Sequence, residues 1–225
     1  MPFRKIIFVY NEVYHVINRG VAQAPIFLNQ KEHQRFVDLL DFYRFAHPSL
    51  SFSHYTRLPL KEREKFMDDL KNKSSNLVEI LAYCLMPNHF HLLLKQKEER
   101  GIPIMLANLQ NGYAKYFNLK HKRIGPLFQS MFKAVRIETD DQLLHVSRYI
   151  HLNPSTSYIV DIEKLSAFHW SSFPEYLGER SSLFVNYEII LSLVGGKQKY
   201  KDFIFDQAEY QRELSNIRHL ILENP

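Results

Sequence analysis

Two apolar runs, residues 77–85 (LVEILAYCL) and 89–95 (HFHLLLK), are separated by only Met86-Pro87-Asn88. Proline plus asparagine between apolar segments is a turn signal, so the pair predicts a β-hairpin. Strand geometry then fixes the side chains. Successive residues face opposite sides, so His89 and His91 share one face and Phe90 takes the other. At a spacing of ~6–7 Å along the strand, two imidazoles can turn their ring nitrogens onto one cation. His-x-His is also a common pattern, and two half-exposed surface histidines would read the same way.

The rest of the chain supplies the partners of that hairpin. Residues 12–19 (EVYHVINR) are β-branched and aromatic with partial alternation, which predicts a strand, and 20–25 a loop. Asn29 suits a helix N-cap, followed by Phe36, Leu39, Leu40 and Tyr43 at three-to-four spacing. Residues 47–76 are polar and charge-rich and read as a helical insertion between core elements. A helix over 102–119, a strand over 132–138 and a helix from about Asp140, which can cap it, to Leu152, ended by Asn153-Pro154, complete the pattern. The order strand–helix–strand–strand–helix–strand–helix predicts an α+β, ferredoxin-like core, an antiparallel sheet flanked by helices. Residues 1–155 form the expected catalytic domain. Residues 156–225 form an extension packed on it, without clear period to about 187 and helical beyond, with Lys197, Lys199 and Lys201 at its start.

Composition narrows the function classes. With 45% hydrophobic and 24% charged residues over 225 positions, the chain has an ordinary globular composition. No apolar run reaches the ~18–20 residues of a membrane span, and the start lacks the apolar stretch of a signal peptide. A single cysteine, Cys84, leaves no internal disulfide and no cysteine-rich zinc motif. A cytoplasmic location is expected. Seven glycines and the lack of a Gly-rich phosphate loop, His-Glu-x-x-His or G-x-S-x-G disfavour dinucleotide folds, zinc proteases and serine hydrolases.

The net charge is +5 and the pI near 9.1, with 13 Tyr and 17 Phe. A basic, aromatic-rich chain suits nucleic acid, although a slightly basic protein with a Phe-rich core would look alike. The distribution says more. From Gly101 to Ile137 there is no Asp or Glu, while Lys115, Lys120, Lys122, Arg123, Lys133, Arg136 and His121 fall inside. Such a window reads as a groove that tracks a phosphate backbone, with salt-sensitive binding.

Tyr149 and Asn153 lie four apart on the last core helix and therefore on one face, with His145 one turn earlier. A tyrosine hydroxyl attacks a phosphodiester when a cation offsets charge on the phosphate, and an amide oxygen is a reasonable hard ligand beside two imidazoles. Among so many tyrosines most are core or surface residues. Tyr113 and Tyr116, on the preceding helix, are rival nucleophiles or stacking platforms.

Together these residues resemble a known family. LMPNHFHLLL (85–94) resembles the HUH signature of the single-tyrosine transposases of insertion-sequence 200/605 type, and RYIHLNP (148–154) resembles their nucleophile helix. YHVINRG with PIF (14–20, 25–27) looks like their first strand and loop, and residues 116–134 look like their basic loop and fourth strand. HWSSFPEYLG (169–178) is similar to a motif of the REP-associated branch. The likeness runs in order over about residues 12–178. It implies cleavage and joining of hairpin-bearing single-stranded DNA. Tyr149 would be the nucleophile of a 5′-phosphotyrosine intermediate, and His89, His91 and Asn153 would hold Mg²⁺ or Mn²⁺. Arg19, Lys115, Lys120, Lys122, Arg123, Lys133 and Arg136 would contact DNA. The protein would be nucleoid-associated when bound, as a monomer or a homodimer. The insertion is longer than the family pattern, the tail beyond 178 carries no transferable motif, and His151 inherits no role. Two other classes remain in view: a metal-dependent phosphodiesterase using water, and a hairpin-binding regulator without turnover.

Overall fold

The computed structural model describes residues 6–46, 48–181 and 184–206. Four strands, β1 (Val13–Arg19), β2 (Val78–Met86), β3 (His89–Gln96) and β4 (Lys133–Ile137), form one sheet in the order β2-β3-β1-β4. All three pairings are antiparallel. This is the ferredoxin-like arrangement, in which α1 (Gln30–Tyr43) and α4 (Gly101–Lys120) provide the crossovers. The insertion contributes α2 (Phe52–Tyr55) and α3 (Leu60–Lys73), and α5 (Asp140–Thr156) follows the sheet. Beyond it come a 3₁₀ turn at Ile162–Ala167 and the helices α6 (Phe173–Leu177), α7 (Glu188–Val194) and α8 (Lys197–Phe205). Part of the expected helical tail, residues 207–225, lies outside the described residues.

Helices cover both faces of the sheet, so β2 and β3 are buried almost throughout rather than alternately. Phe90 points into the α1/α4 layer, its ring 5.0 Å from Phe36, which in turn meets Tyr113 at 5.2 Å. Asn18 of β1 faces the same layer and donates to Gln110 of α4 at 2.6 Å. On the opposite face, the His91 ring lies 5.5 Å from Tyr149 of α5. β2 is an edge strand whose outer side is taken up by the chain after α5. Leu85 donates to the Trp170 carbonyl, Ser172 to that of Tyr83, and Asn186 to that of Ile80. That pairing protects an apolar edge from other chains.

Two boundaries differ from the sequence expectation. Thr139, not Asp140, caps α5: its side chain accepts from Gln142 N–H at 3.1 Å, while Asp140 and Asp141 sit in the first turn, where the helix dipole favours them. Nor does Asn153-Pro154 end the helix, which continues to Thr156. A proline costs its own N–H, but the turn around it closes through Ser157 N–H to the Asn153 carbonyl and Ile159 N–H to the Pro154 carbonyl. Asn153 therefore stays helical, one turn beyond Tyr149.

Gly20, at the end of β1, is required by close approach rather than by unusual backbone angles. A Cβ there would stand 2.1 Å from the Ala24 carbonyl oxygen and 3.0 Å from Ile26. Its N–H also donates to the Asn88 carbonyl at 2.8 Å, tying the strand end to the turn before His89. Gly20→Ala is expected to cost at least about 2 kcal/mol of stability in urea denaturation, because backbone and not a flexible side chain must move. An unchanged midpoint would show that the 20–26 loop yields freely.

Candidate active site

The turn Pro87-Asn88 delivers His89 to the start of β3, and the strand repeat brings His91 onto the same face. Their Nε2 atoms lie 3.1 Å apart. Asn88 Oδ1 sits 2.6 Å from His89 Nδ1, orienting that ring from behind. On β1, His15 reaches across with its Nε2 3.0 Å from His91 Nδ1. From the other side, α5 presents the Asn153 amide 3.4 Å from His91 Nε2. Tyr149 is buried beside them, edge-on to His91, with its ring centroid 6.2 Å from that of His15. Three imidazoles, an amide and a phenol ring from two strands and one helix thus come together.

The donor set fits a small hard divalent cation. Adjacent ligands at about 2.1 Å in an octahedral shell are about 3 Å apart, which the two Nε2 atoms match. Rotating the Asn153 amide about its last bond exchanges its oxygen and nitrogen, so a carbonyl oxygen can face the same point. No three His, Cys, Asp or Glu side chains cluster as metal ligands among the described residues. The Asn153 amide is the further polar group within reach of the pair.

Sequence reasoning missed His15, which lies fully buried within the β1 segment. The available signal was alternation: Val13, His15, Ile17 and Arg19 share the histidine face. The other histidines of α5 do different work. His145 stands 3.5 Å from Asp141 and packs on Phe203 of α8. His151 faces away from the pair, its Nδ1 2.7 Å from Tyr200 Oη and its Nε2 2.8 Å from Ser172 Oγ. Burial pushes its pKa down to about 3, so it stays neutral and serves as a tie between α5, α8 and the segment on β2. The rival tyrosines lie in the helical layer. Tyr113 donates to the Ile26 carbonyl at 2.5 Å, and burial drives its pKa far up. Tyr116 lies under the Arg35 guanidinium, 5.1 Å away. Both are on the far side of the sheet from the histidine pair.

Register divides the basic candidates between the two faces. Arg19 pairs directly with His89 and Lys133 with Ile17, placing both on the histidine face. Arg136 pairs with Tyr14 on the other face and bonds Glu12 at 2.9 Å. Lys115 and Lys120, with Arg35, Arg57, Phe52 and Tyr116, line a cleft of about 710 Å³ in the helical layer, one wall of which the insertion provides. Lys122 and Arg123 follow in the loop, Arg123 over the Phe117 ring at 5.6 Å. The window that is acid-free in sequence is therefore not acid-free in space. Lys120 Nζ bonds Glu32 Oε1 at 2.7 Å, and His121 Nε2 lies 2.8 Å from the same oxygen.

A scan of protein families matches residues 59–153, somewhat under half of the chain, to a model described as transposase IS200 like. No curated protein matches significantly. Among solved structures, the chain is similar to a REP-associated tyrosine transposase bound to a REP hairpin. The identity is 13%, with 79% of this chain and 86% of the other covered at a TM-score of 0.51. That likeness concerns the fold. A structure from Deinococcus radiodurans R1 described as a transposase aligns at 15% identity over 66% of this chain and 95% of the other, with a TM-score of 0.36. At that score the likeness carries no weight.

Glu32 gives these charges a measurable signature. Burial alone would raise its pKa, but Lys120, the Leu28 N–H, His121 and Asn29 together hold it down to about 2. A carboxylate depressed in the folded state stabilises above its ordinary value and loses that contribution as pH falls towards the folded one. Stability is therefore expected to drop between about pH 4.5 and 2, by as much as about 1.4 kcal/mol per pH unit. Glu32→Gln should flatten that part of the curve in urea titrations at stepped pH. An equal slope in the variant would mean that Glu32 is not held ionised.

Proposed function

We propose that the chain is an IS200-like transposase, the family whose model residues 59–153 match, and that it cuts and rejoins hairpin-bearing single-stranded DNA through a covalent tyrosine intermediate. What supports the reading most is one geometry: the His89 and His91 Nε2 atoms 3.1 Å apart, with the Asn153 amide and the Tyr149 ring closing the same point. The hairpin part draws on the structural neighbour, which is bound to a REP hairpin.

In this reading Tyr149 attacks the scissile phosphorus. The tyrosine oxygen forms the new bond, the P–O3′ bond breaks, and the departing 3′ oxygen takes a proton. The product is a 5′-phosphotyrosine and a free 3′-OH. His89, His91 and Asn153 would hold the divalent ion, Mg²⁺ or Mn²⁺, which would supply Lewis-acid polarisation of the phosphate. The shell around them keeps that site rigid: Asn88 behind His89, His15 behind His91, and the helix backbone spacing Asn153 from Tyr149. Arg19 and Lys133 would hold phosphates next to the cut, and Lys115, Lys120, Lys122, Arg123 and Arg136 would contact DNA farther from it. The phosphotyrosine conserves the energy of the broken phosphodiester, so a second 3′-OH can attack it and restore Tyr149 without ATP. The protein acts in the cytoplasm, at the nucleoid.

Incubation with Mn²⁺ and a 3′-labelled single strand bearing a hairpin from beside its own gene should give a labelled protein–DNA adduct on a denaturing gel. Tyr149→Phe and EDTA should each abolish it, a loss of at least about a thousandfold in rate for the variant. Cleavage that persists without an adduct would replace this reading with a hydrolytic phosphodiesterase. Binding with no cleavage of any hairpin from the locus would replace it with a regulator.

A further inference from the structure

His15 is fully buried on β1, one step in register from His91: His91 pairs with Ile17, and His15 with Leu93. The two rings are stacked at 19°, with centroids 5.2 Å apart, and His15 Nε2 lies 3.0 Å from His91 Nδ1. Resting on the reading of His89, His91 and Asn153 as a cation site, we propose that His15 is a positioning residue that accepts the His91 Nδ1 proton and so fixes the tautomer in which His91 Nε2 is a bare ligand.

The argument is one of proton placement. A neutral imidazole carries one N–H, and His91 has a polar neighbour at each nitrogen. Its Nε2 points at the space between His89 Nε2, 3.1 Å away, and the Asn153 amide. A proton there would occupy the direction in which a cation has to bind. Placed instead on Nδ1, the proton lies along the 3.0 Å contact to His15, whose Nε2 then has to be the acceptor. Packing alone would be met by any flat ring at position 15, whereas the short nitrogen–nitrogen contact calls for a hydrogen-bond partner, which is the acceptor once His91 Nε2 is left bare for a cation. Ligating histidines usually pass this second hydrogen bond to a carboxylate or a carbonyl. A neutral imidazole pushes less electron density onto the ligand, so the cation is held more loosely and exchanges more readily. The Tyr149 ring, 6.2 Å from that of His15, packs against the same pair, so His15 also backs the proposed nucleophile.

The test compares wild type, His15→Phe, His15→Gln and His89→Ala in the full chain. It reads Mn²⁺ affinity by electron paramagnetic resonance of the free ion, melting temperature, and adduct formation against Mn²⁺ concentration. His15→Phe keeps a ring and removes the acceptor. It should weaken Mn²⁺ by about 10- to 100-fold and recover adduct formation as Mn²⁺ is raised. His15→Gln, which restores an acceptor, should stay within a few-fold of wild type. Nitrogen chemical shifts of ¹⁵N-histidine wild type saturated with Mg²⁺ should show His91 protonated at Nδ1, a readout that holds even if a variant does not fold. A proton on His91 Nε2 would overturn the proposal, as would a His15→Phe variant that binds Mn²⁺ like wild type. If His89→Ala abolishes Mn²⁺ binding while His15→Phe does not weaken it, only the positioning role falls. If His89→Ala leaves binding intact, the cation site itself falls and the role of His15 with it.

Discussion

The burial of β3 on both faces is the constraint on which the rest of the molecule depends. One residue, Phe90, anchors the strand in the aromatic layer of α1 and α4 through Phe36. Its two neighbours are thereby committed to the other side, where α5 covers them. Burying imidazoles there without partners would cost several kcal/mol. The structure meets that cost locally: Asn88 and His91 for His89, and His15, His89 and Asn153 for His91. The resulting polar cluster inside an otherwise apolar sandwich is the candidate site.

The same constraint explains what was legible in the sequence. Period-two alternation in HFHLLLK and a Pro-Asn turn suffice to place both histidines on one face, and the strand and helix pattern suffices for the ferredoxin-like order. The helix boundaries depended on closer chemistry. Asp140 is a good N-cap residue, but Thr139 precedes it and takes the cap. Pro154 looks like a stop, yet a proline near the C-terminal end of a helix loses only one hydrogen bond, and the following turn closes around it. His15 was hidden because alternation assigns it to one face of β1 but does not say that this face adjoins His91. Its meaning comes from register with β3, which is a property of the fold.

Charge was the least legible feature. A stretch free of acid from 101 to 137 suggests one continuous basic surface, but strands and helices distribute its residues over opposite faces of the sheet. Glu32 from α1 and Glu12 beside β1 then meet Lys120 and Arg136 across large sequence separations. Arg19, outside the window, lands directly beside His89. Sequence neighbourhood gives the sign of a surface, and only topology says where it points.

The most direct test of the central claim, that the phenol on the histidine face does the chemistry, is to locate the modified residue in a trapped adduct. Nuclease trimming, trypsin digestion and tandem mass spectrometry should find a nucleotide phosphate on the peptide spanning residues 149–164, assigned to Tyr149 rather than Tyr158. A nucleotide on Tyr113 or Tyr116 would place the reaction across the sheet from the histidine pair and contradict the account.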